Sequence, residues 1–322
     1  MTKYRSKRRT GRSIDVDKSI LGRISDIQHF SIHDGPGIRS SVFLKGCNLR
    51  CLWCHNPENI LSRGQELSFV PSRCIFCGYC FRACPNGCHS IVNNEHKIDW
   101  DKCTRCGRCA TECYSKALTV VGRTISAQEV VDEISRDEIF YETSGGGITL
   151  SGGEPMLQPE FVKNILALCK QRGIHTALET CAVYDYGKLD GIRENVDLFL
   201  VDYKATGAQA YKECTSADNH FVLENLQKLH DDGFNVLIRC PIIPGKNDTP
   251  EHFKKIAELT RTYPNFIGAE LLPYHRLGVS KIDRFGLDNQ LPHREFVTPD
   301  KDTVRRWVDT VRRYGGRLVN ED

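Results

Sequence analysis

Three cysteines with unequal spacing stand close together in the first quarter of the chain. The stretch from Gly46 to Glu58 reads GCNLRCLWCHNPE and carries Cys47, Cys51 and Cys54 in C-x3-C-x2-C order. A structural zinc site is closed by four protein ligands, whereas three ligands keep a position open for chemistry. A four-iron cluster also takes four thiolates, so three leave one iron able to bind another molecule. These three cysteines, here called the triad, therefore predict a metal centre with one open position.

Eight further cysteines follow in two runs of a specific spacing. The first run, CIFCGYCFRACP, has C-x2-C-x2-C-x3-C-P spacing, and the second, CTRCGRCATEC, repeats it without the proline. Two-cluster bacterial ferredoxins have this pattern, and in them the fourth cysteine of each run binds the other cluster. Zinc modules would instead use two paired C-x2-C units. The runs predict a first quartet, Cys74, Cys77, Cys80 and Cys113, and a second quartet, Cys103, Cys106, Cys109 and Cys84.

The first run offers two candidates for its fourth ligand. Cys88 follows Cys84 by four residues in CPNGC. We favour Cys84 because its spacing and the proline after it match the ferredoxin pattern, and Cys88 is the alternative. We predict no chemistry for the four cysteines outside this region, Cys169, Cys181, Cys214 and Cys240.

Composition narrows the class of protein. The 322 residues carry 44 basic and 41 acidic side chains, a balance that predicts no global affinity for nucleic acid. Six basic residues between Lys3 and Arg12 predict a mobile, solvated tail, with a docking or nucleic-acid arm as the alternative. We expect a cytoplasmic protein without membrane attachment, because no apolar segment of signal-peptide or membrane length follows the tail. Sixteen cysteines in such a chain indicate metal binding rather than disulfides.

Outside the cysteine-rich region, short apolar runs alternate with amphipathic helical patterns. Six runs resemble strands: Ser41–Gly46, Ile148–Gly152, His175–Thr180, Leu198–Lys204, Asn235–Ile243 and Gly268–His275. The clearest helical patterns are Glu160–Arg172, Glu251–Tyr263 and Asp302–Tyr314. This alternation predicts a parallel α/β sheet, and six units are too few to close an eight-stranded barrel. In this architecture ligands bind at the carboxyl ends of the strands.

Polar residues stand at several of these strand ends. Ser151–Pro155 (SGGEP) follows the second strand; its glycines allow a ligand close to the backbone, and Glu154 offers a carboxylate to an ammonium group. Asp202 and Lys204 lie two residues apart, so both point to the same face of an apolar strand. Inward charges are costly unless paired or functional, so a structural salt bridge is the alternative to a ligand site. His275 ends the sixth strand, where a surface histidine is the alternative to a ligand.

These motifs together resemble the glycyl-radical-enzyme activating enzymes of the radical S-adenosylmethionine superfamily. The resemblance begins at Ile27 and rests, in chain order, on FSIHDGPGIRSSVFLKGCNLRCLWCHNPE, SGGEP, VDYK and LLPYHRLG. The C-x3-C-x2-C spacing with Trp53 inside it is specific to the superfamily, and the order of the other motifs points to the activating enzymes. The eight-cysteine insertion resembles the subgroup that carries an extra ferredoxin-like domain.

The resemblance implies an anaerobic oxidoreductase with three 4Fe-4S clusters, one catalytic and two in the insertion. The triad would form the catalytic centre, and S-adenosyl-L-methionine would bind its open iron. One electron would cleave this cofactor to methionine and a 5′-deoxyadenosyl radical, which removes a hydrogen from a backbone glycine of a partner enzyme. The expected partners are a cognate glycyl radical enzyme and, as electron donor, ferredoxin or flavodoxin. We expect a monomer.

The resemblance also assigns the residues around the cofactor. Its contacts would be Trp53, Cys54, His55, Gly152, Gly153, Glu154, Asp202, Tyr203, Lys204 and His275. The glycines and Glu154 would receive the methionine end of the cofactor. Arg239, inward on the fifth strand, is a further candidate for a supporting ion pair. The departures from the family pattern are Cys88, Tyr114 where a second proline would follow Cys113, and the basic tail.

The predicted fold is α/β: a partial, open (β/α)6 TIM-like barrel with an inserted ferredoxin-like two-cluster domain. Its expected parts are a basic tail at 1–20, the barrel at 21–65 and 121–322, and the insertion at 66–120. Alternatives to the activating enzyme are a radical S-adenosylmethionine enzyme acting on a small molecule, an iron–sulfur electron-transfer protein, and a zinc protein that binds nucleic acid. Nothing in the motifs selects the partner enzyme or its substrate.

Overall fold

The structure is a computed structural model that describes residues 16–287 and 296–319. The basic segment between Lys3 and Arg12, for which the sequence predicts a mobile tail, lies outside the described residues. Of the helices within the described ranges, none is both long and apolar enough to cross a membrane.

One mostly parallel sheet organises the larger part of the chain. The strands of the described residues are β1 (Leu21–Ser31), β2 (Arg39–Leu44), β3 (Glu66–Phe69), β4 (His89–Val92), β5 (Glu95–Ile98), β6 (Leu118–Val121), β7 (Arg123–Ser126), β8 (Gly147–Gly152), β9 (His175–Thr180), β10 (Leu198–Asp202), β11 (Val236–Ile242) and β12 (Gly268–Pro273). Eight of these form a sheet in the order β12-β11-β10-β9-β8-β2-β1-β7. β2 and β8 to β12 pair in parallel, and β1 and β7 are antiparallel additions.

Most helices connect or follow the parallel strands and cover the outside of the sheet, while one lies inside the first cysteine run. They are α1 (Tyr79–Ala83), α2 (Ala127–Ile134), α3 (Glu138–Ser144), α4 (Pro159–Gln171), α5 (Ala208–Thr215), α6 (His220–Asp231), α7 (Pro250–Thr262), α8 (Val279–Phe285) and α9 (Lys301–Arg313). Their starts carry the expected signals: α2 begins with a Ser126–Glu129 capping box, and the Thr249 side chain caps α7. Asp300 caps α9 in the same way.

The α/β prediction is confirmed, and the mostly parallel six-strand arrangement is consistent with a partial barrel. All six predicted strands and all three predicted helices occur within two residues of their expected ends. The sequence did not reveal β1 and β7. In β1 only scattered residues such as Ile24 and Ile27 are both apolar and buried, so no continuous apolar run indicates a strand.

Each parallel strand has a helix-facing side and an inner side. On the inner side an apolar layer is built by Ala177, Leu198, Leu200 and Leu237. Two residues further along the same strands, the inner side becomes polar at Glu179, Asp202 and Arg239. Because side chains alternate along a strand, this change occurs at the carboxyl ends. The apolar layer therefore closes one end of the sheet interior, and the polar residues surround a cavity at the other.

The cysteine-rich region projects from this sheet as a small compact unit. β3 and β6 pair antiparallel where it leaves and rejoins the larger part, from Glu66 opposite Val121 to Phe69 opposite Leu118. Inside it, β4 and β5 form a hairpin. Its apolar core is small and consists of Leu67, Phe69, Cys80, Cys109, Ala117 and Leu118. Such a small core is typical of units that metal ions or clusters stabilise.

Candidate active site and cysteine clusters

The triad lies in the loop that follows β2, at the carboxyl end of the parallel sheet. Backbone hydrogen bonds fix the start of this loop: Gly46 N–H donates to the Asn59 carbonyl at 2.7 Å, and Cys47 N–H to that of Ile60 at 3.2 Å. Cys47, Cys51 and Cys54 all line one cavity of about 620 Å³. A cavity of this size is within the range of small-molecule sites.

Burial controls the chemistry of the triad thiols. It raises the pKa of Cys47 to about 12 and raises the pKa values of Cys51 and Cys54 as well. The thiols also raise each other's pKa, because neighbouring thiolates repel. A metal centre removes this conflict, since a coordinating thiol is deprotonated by the cation's charge. Three thiols that line the same cavity, Cys51 buried and the other two half-buried, fit a cluster with one exchangeable iron.

The SGGEP loop is fitted tightly against the triad loop. Gly153 N–H donates to the Leu44 carbonyl at 2.8 Å, and Glu154 N–H to the Gly46 carbonyl at 2.7 Å. A Cβ on Gly153 would lie 1.9 Å from the Gly46 carbonyl oxygen, so only glycine permits this approach. Gly152, with φ at +111°, also has a conformation suited to glycine. Both glycines line the cavity.

Glu154 supports this loop from behind. Its carboxylate is fully buried and accepts hydrogen bonds from Met156 N–H at 3.0 Å, Cys181 N–H at 2.8 Å and the Thr180 hydroxyl at 2.9 and 3.0 Å. Burial raises the pKa of Glu154 against these donors. The side chain thus joins the loop to the end of β9, while Gly152 and Gly153 face the cavity.

Asp202 and Lys204 lie together in the cavity wall at the end of β10. Lys204 Nζ is 2.7 Å from Asp202 Oδ2. Burial lowers the pKa of Lys204, but the negative charges of Asp202 and, to a smaller extent, Cys51 raise it well above its usual value. The ammonium group therefore stays charged beside the triad. Tyr203, between them, points to the opposite face, where its ring stacks on His252 with centroids 5.4 Å apart. The alternation that brings the charged pair inward directs Tyr203 outward.

Two histidines close another side of the cavity. The rings of His55, just after the triad, and His275, after β12, stack with centroids 3.9 Å apart. The His55 Nε2 atom is 3.1 Å from the His275 carbonyl oxygen. Burial lowers the pKa of His275, which favours a neutral ring. Trp53 also lines the cavity and is 4 % exposed.

An ion-pair network around Arg239 crosses the floor of the cavity. Arg239 Nη1 lies 2.6 Å from Glu179 Oε1 and 3.8 Å from Asp34 Oδ1, and its Nε lies 3.3 Å from Glu270 Oε2. Its Nη2 donates to the His33 carbonyl at 3.0 Å. Burial opposes ionisation of this side chain, but the carboxylates of Glu179 and Glu270 raise the pKa of Arg239, so it remains a cation.

Sequence reasoning missed the acidic members of this network. Glu179 and Glu270 each interrupt an apolar strand near its carboxyl end, which is the signal that identified Asp202 and Lys204. Asp34 comes from a loop and carried no such signal. Its Oδ2 accepts hydrogen bonds from Ser31 at 2.6 Å and Ser41 at 2.5 Å, which hold it against the cavity.

In the cysteine-rich region the first quartet converges on one cavity. Cys74, Cys77, Cys80 and Cys113 all line it, together with Cys109 and His96. Cys113 comes from the second run, as the crossed pairing of the ferredoxin pattern requires. Leu118 N–H also donates to the Cys113 sulfur at 3.3 Å, a hydrogen bond that favours a thiolate there.

The second quartet gathers around Cys109. Burial and the neighbouring thiols Cys103, Cys84 and Cys106 raise the pKa of Cys109 to about 12. Cys88 lies beside Cys84, and its backbone N–H donates to the Cys84 sulfur at 3.4 Å. Burial raises the pKa of Cys84, but hydrogen bonds from the backbone N–H of Cys88 and from other N–H groups lower it overall. Burial and the neighbouring Cys84 thiol raise the pKa of Cys88 to about 12. Hydrogen bonds from N–H groups to the Cys84 sulfur stabilise a thiolate there, which is the form that binds metal.

Comparison with known proteins agrees with this geometry. The family model described as "Radical SAM superfamily" matches residues 41–260, which contain the triad and both quartets. Three similar curated relatives are also named activating enzymes. The chain is 42 % identical over 269 residues to the choline trimethylamine-lyase activating enzyme of Oleidesulfovibrio alaskensis, covering 82 % of this chain and 86 % of that one.

The two other relatives have different target enzymes in their names. The isethionate sulfite-lyase activating enzyme of Oleidesulfovibrio alaskensis is 40 % identical over 292 residues, covering 88 % of this chain and 93 % of the relative. The 4-hydroxyphenylacetate decarboxylase activating enzyme of Clostridioides difficile is 37 % identical over 295 residues, covering 89 % and 90 %. Because the three sequence identities differ by only a few per cent, they do not indicate which of these target enzymes corresponds to the partner of this chain.

Proposed function

The chain belongs to the radical S-adenosylmethionine superfamily, and we propose that it activates a partner glycyl radical enzyme. The observation that carries the proposal is the convergence of the triad, the paired glycines and the Asp202–Lys204 pair on one cavity. These are the cysteine, cofactor and strand-end motifs that the resemblance assigns to such enzymes, brought together by the fold. The relatives, all activating enzymes, support the same activity.

The triad would hold the catalytic four-iron cluster, and the cavity would hold S-adenosylmethionine. When bound, they would supply the chemistry: one electron from an external donor would cleave the sulfonium–C5′ bond to methionine and a 5′-deoxyadenosyl radical, which would take a hydrogen atom from a backbone glycine of the partner. The products are then methionine, 5′-deoxyadenosine and a glycyl radical on the partner enzyme.

The residues of this chain bind, orient and exclude water. Gly152 and Gly153 leave room for a ligand's polar end beside the backbone, and Glu154 holds their loop in place. Lys204 presents a cation and Asp202 a carboxylate to the same ligand. The apolar layer beneath them keeps the inner end of the cavity dry, which protects a reactive radical from side reactions.

We also propose that residues 66–120 form a ferredoxin-like insertion with two four-iron clusters that relay electrons to the triad. The converging quartets support this. So does a line of contacts from the second quartet to the barrel. Arg105, between Cys103 and Cys106, donates through Nη2 to the Phe285 carbonyl at 3.3 Å and pairs with Glu66. Lys45, two residues before Cys47, lies 3.8 Å from the same Glu66.

The proposal extends to the setting in which the protein works. All sixteen cysteines fall in the described part of the chain, and within it none forms a disulfide, which supports a reducing cytoplasm. A ferredoxin or flavodoxin would supply single electrons. The target enzyme is left open, since the names of the relatives include lyases and a decarboxylase.

The test is to generate the product radical. Anaerobically reconstituted protein, reduced with dithionite, is incubated with S-adenosylmethionine and a glycyl radical enzyme encoded next to its gene. We expect a glycine-centred EPR signal on the partner and formation of 5′-deoxyadenosine. Cleavage of the cofactor without any glycyl signal across a panel of such enzymes would favour a small-molecule substrate. Absence of cleavage by protein with a full iron content would refute the proposal.

A further inference from the structure

Two buried histidines stand beside the first quartet, and the proposed function does not use them. His96 is 3 % and His89 9 % exposed, and both lie in the β4–β5 hairpin between the two cysteine runs. Asn93 and Asn94, both with positive φ, form its two-residue turn, a conformation that fixes hairpin register. Ile91 pairs with His96, so His89 and His96 are diagonal neighbours.

The distances connect these histidines to the quartet in one line. The Nδ1 atom of His96 lies 3.3 Å from the sulfur of Cys74, and its Nε2 lies 2.9 Å from Nδ1 of His89. The sulfur of Cys80 is 3.9 Å from the same Nε2. Phe69 and Phe81 pack against the His96 ring, with centroids at 4.6 and 5.3 Å, and hold its plane.

A thiolate at Cys74 would select one arrangement of protons. The 2.9 Å contact between Nε2 of His96 and Nδ1 of His89 is a single hydrogen bond, so one of these two nitrogens carries the proton and the other accepts it. A neutral imidazole has one N–H donor and one acceptor nitrogen. If His96 donates through Nδ1 to Cys74, its Nε2 accepts from Nδ1–H of His89. The opposite tautomer of His96 would place a lone pair against the thiolate.

We propose that His96, oriented by His89, donates a hydrogen bond to the Cys74 thiolate and raises the reduction potential of the first-quartet cluster. This rests on the proposed two-cluster insertion. A hydrogen bond to a ligating sulfur stabilises the reduced cluster more than the oxidised one, because reduction adds negative charge that the sulfurs share. His96 is therefore a positioning residue that makes this cluster easier to reduce, and His89 fixes its tautomer as outer partners of metal ligands commonly do.

The cluster of Cys80, His89 and His96 also has the spacing of a small metal site, with ligand atoms within 4.8 Å of one another. Cys80 belongs to the first quartet, however, and its sulfur can serve only one centre at this distance. The two histidines alone do not close a tetrahedral site. We therefore assign them to the environment of the cluster and not to a separate ion.

The experiment measures the insertion clusters without interference from the triad. In the full chain with Cys47, Cys51 and Cys54 all replaced by Ala, the catalytic four-iron cluster cannot form. This protein should therefore hold about eight irons. An EPR-monitored redox titration of this protein gives two reduction waves. His96→Leu, nearly isosteric but without a donor, should move one wave to a more negative potential. The other wave, from the second quartet, is the internal control.

The expected size is at least a tenfold lower ratio of reduced to oxidised first-quartet cluster at a fixed potential, which corresponds to about 59 mV for one electron. His96→Gln keeps an N–H donor, so its reduction potential should lie close to that of the parent protein. His89→Phe should shift the potential in the same direction as His96→Leu, but by less. Surface His220→Phe should have no effect.

Each outcome decides between the possibilities. Eight irons and unchanged waves in His96→Leu would overturn the inference while leaving the two-cluster insertion intact. Loss of four irons in both His96→Leu and His96→Gln would make His96 a ligand instead of a hydrogen-bond donor, and would also overturn it. If the parent protein itself held far fewer than eight irons, the proposed insertion would fail first.

Discussion

The Nε atom of Arg105 lies 2.9 Å from Oε2 of Glu66, and both side chains are nearly buried. Arg105 sits between Cys103 and Cys106, while Glu66 is the first residue of β3, where the cysteine-rich unit begins. Lys45, next to the triad loop, approaches the other oxygen of Glu66. One carboxylate thus joins the cysteine-rich unit to the segment that leads into the triad loop.

Replacing Arg105 by Gln should loosen this junction. The change leaves Glu66 buried with only the more distant Lys45, and removal of one partner of a buried ion pair costs about 3 kcal/mol. We expect a lower denaturation midpoint and slower turnover with a protein electron donor. The matched control is Arg108→Gln, an exposed arginine of the same cysteine run. Equal behaviour of the two variants would show that the ion pair does not couple the insertion to the barrel.

Iron content should separate the triad from the quartets. Three four-iron clusters give about twelve irons in the intact chain, and Cys51→Ala should leave about eight. The same variant should lose all reductive cleavage of S-adenosylmethionine, because the open iron is lost with the triad cluster. Metal analysis and quantification of 5′-deoxyadenosine check both parts. A preparation with four irons and bound zinc would contradict the cluster count, and residual cleavage by the variant would place the open iron elsewhere.

Removing the first quartet should distinguish a relay from a docking element. With Cys74 and Cys77 both replaced by Ala, turnover driven by a protein donor should fall sharply. Turnover driven by a small chemical reductant, which can reach the triad directly, should persist in part. The two rates are compared in one preparation of known iron content. Equal loss with both reductants, together with weaker binding of the partner enzyme, would indicate that the insertion serves docking.

Acid should destabilise the protein through His252, which is buried behind β10. Burial lowers the pKa of His252 to about 3, so below about pH 6.5 the unfolded chain binds a proton that the folded chain does not. Stability therefore falls as the pH drops. From pH 7.5 to pH 5.5 this one residue should remove about 1.4 kcal/mol from the free energy of unfolding.

The variant His252→Phe keeps the stack on Tyr203 and should lack this component. Its free energy of unfolding should change between the two pH values by about 1.4 kcal/mol less than that of the parent protein. Anaerobic denaturant titrations at both pH values provide the comparison, with exposed His220→Phe as the control. An identical pH dependence of all three proteins would mean that His252 is protonated in the folded state.

The candidate metal ligands and the strands could be identified in the sequence because their signals are local. The triad and the two cysteine runs are each defined by spacings of a few residues, and the six parallel strands by continuous apolar runs. Asp202 and Lys204 could be paired from the period of a strand alone, and the structure places them 2.7 Å apart. The choice of Cys84 over Cys88 likewise came from spacing and stays a prediction.

Other features depended on contacts between distant parts of the chain. The acidic partners of Arg239 come from β9, from β12 and from the loop after β1. Even Glu179, on β9, lies 60 positions from Arg239 in the chain. Glu154 was expected to face a ligand, but the structure directs its carboxylate to Cys181 N–H, because the close approach of Gly153 to Gly46 turns the loop. Tyr203, in the VDYK motif, was expected to contact the cofactor. The alternation of side chains along the strand instead directs its ring toward His252, on the other face of the sheet.

The sequence by itself therefore determined which residues could bind metal and which segments form the parallel sheet, since ligand type, spacing and apolar runs are properties of neighbouring residues. Only the tertiary structure decided which charges meet in the cavity floor, which side chains support the SGGEP loop and which histidine contacts Cys74. Those pairings depend on how strands far apart in the chain pack, and packing is set by the whole core rather than by any single segment.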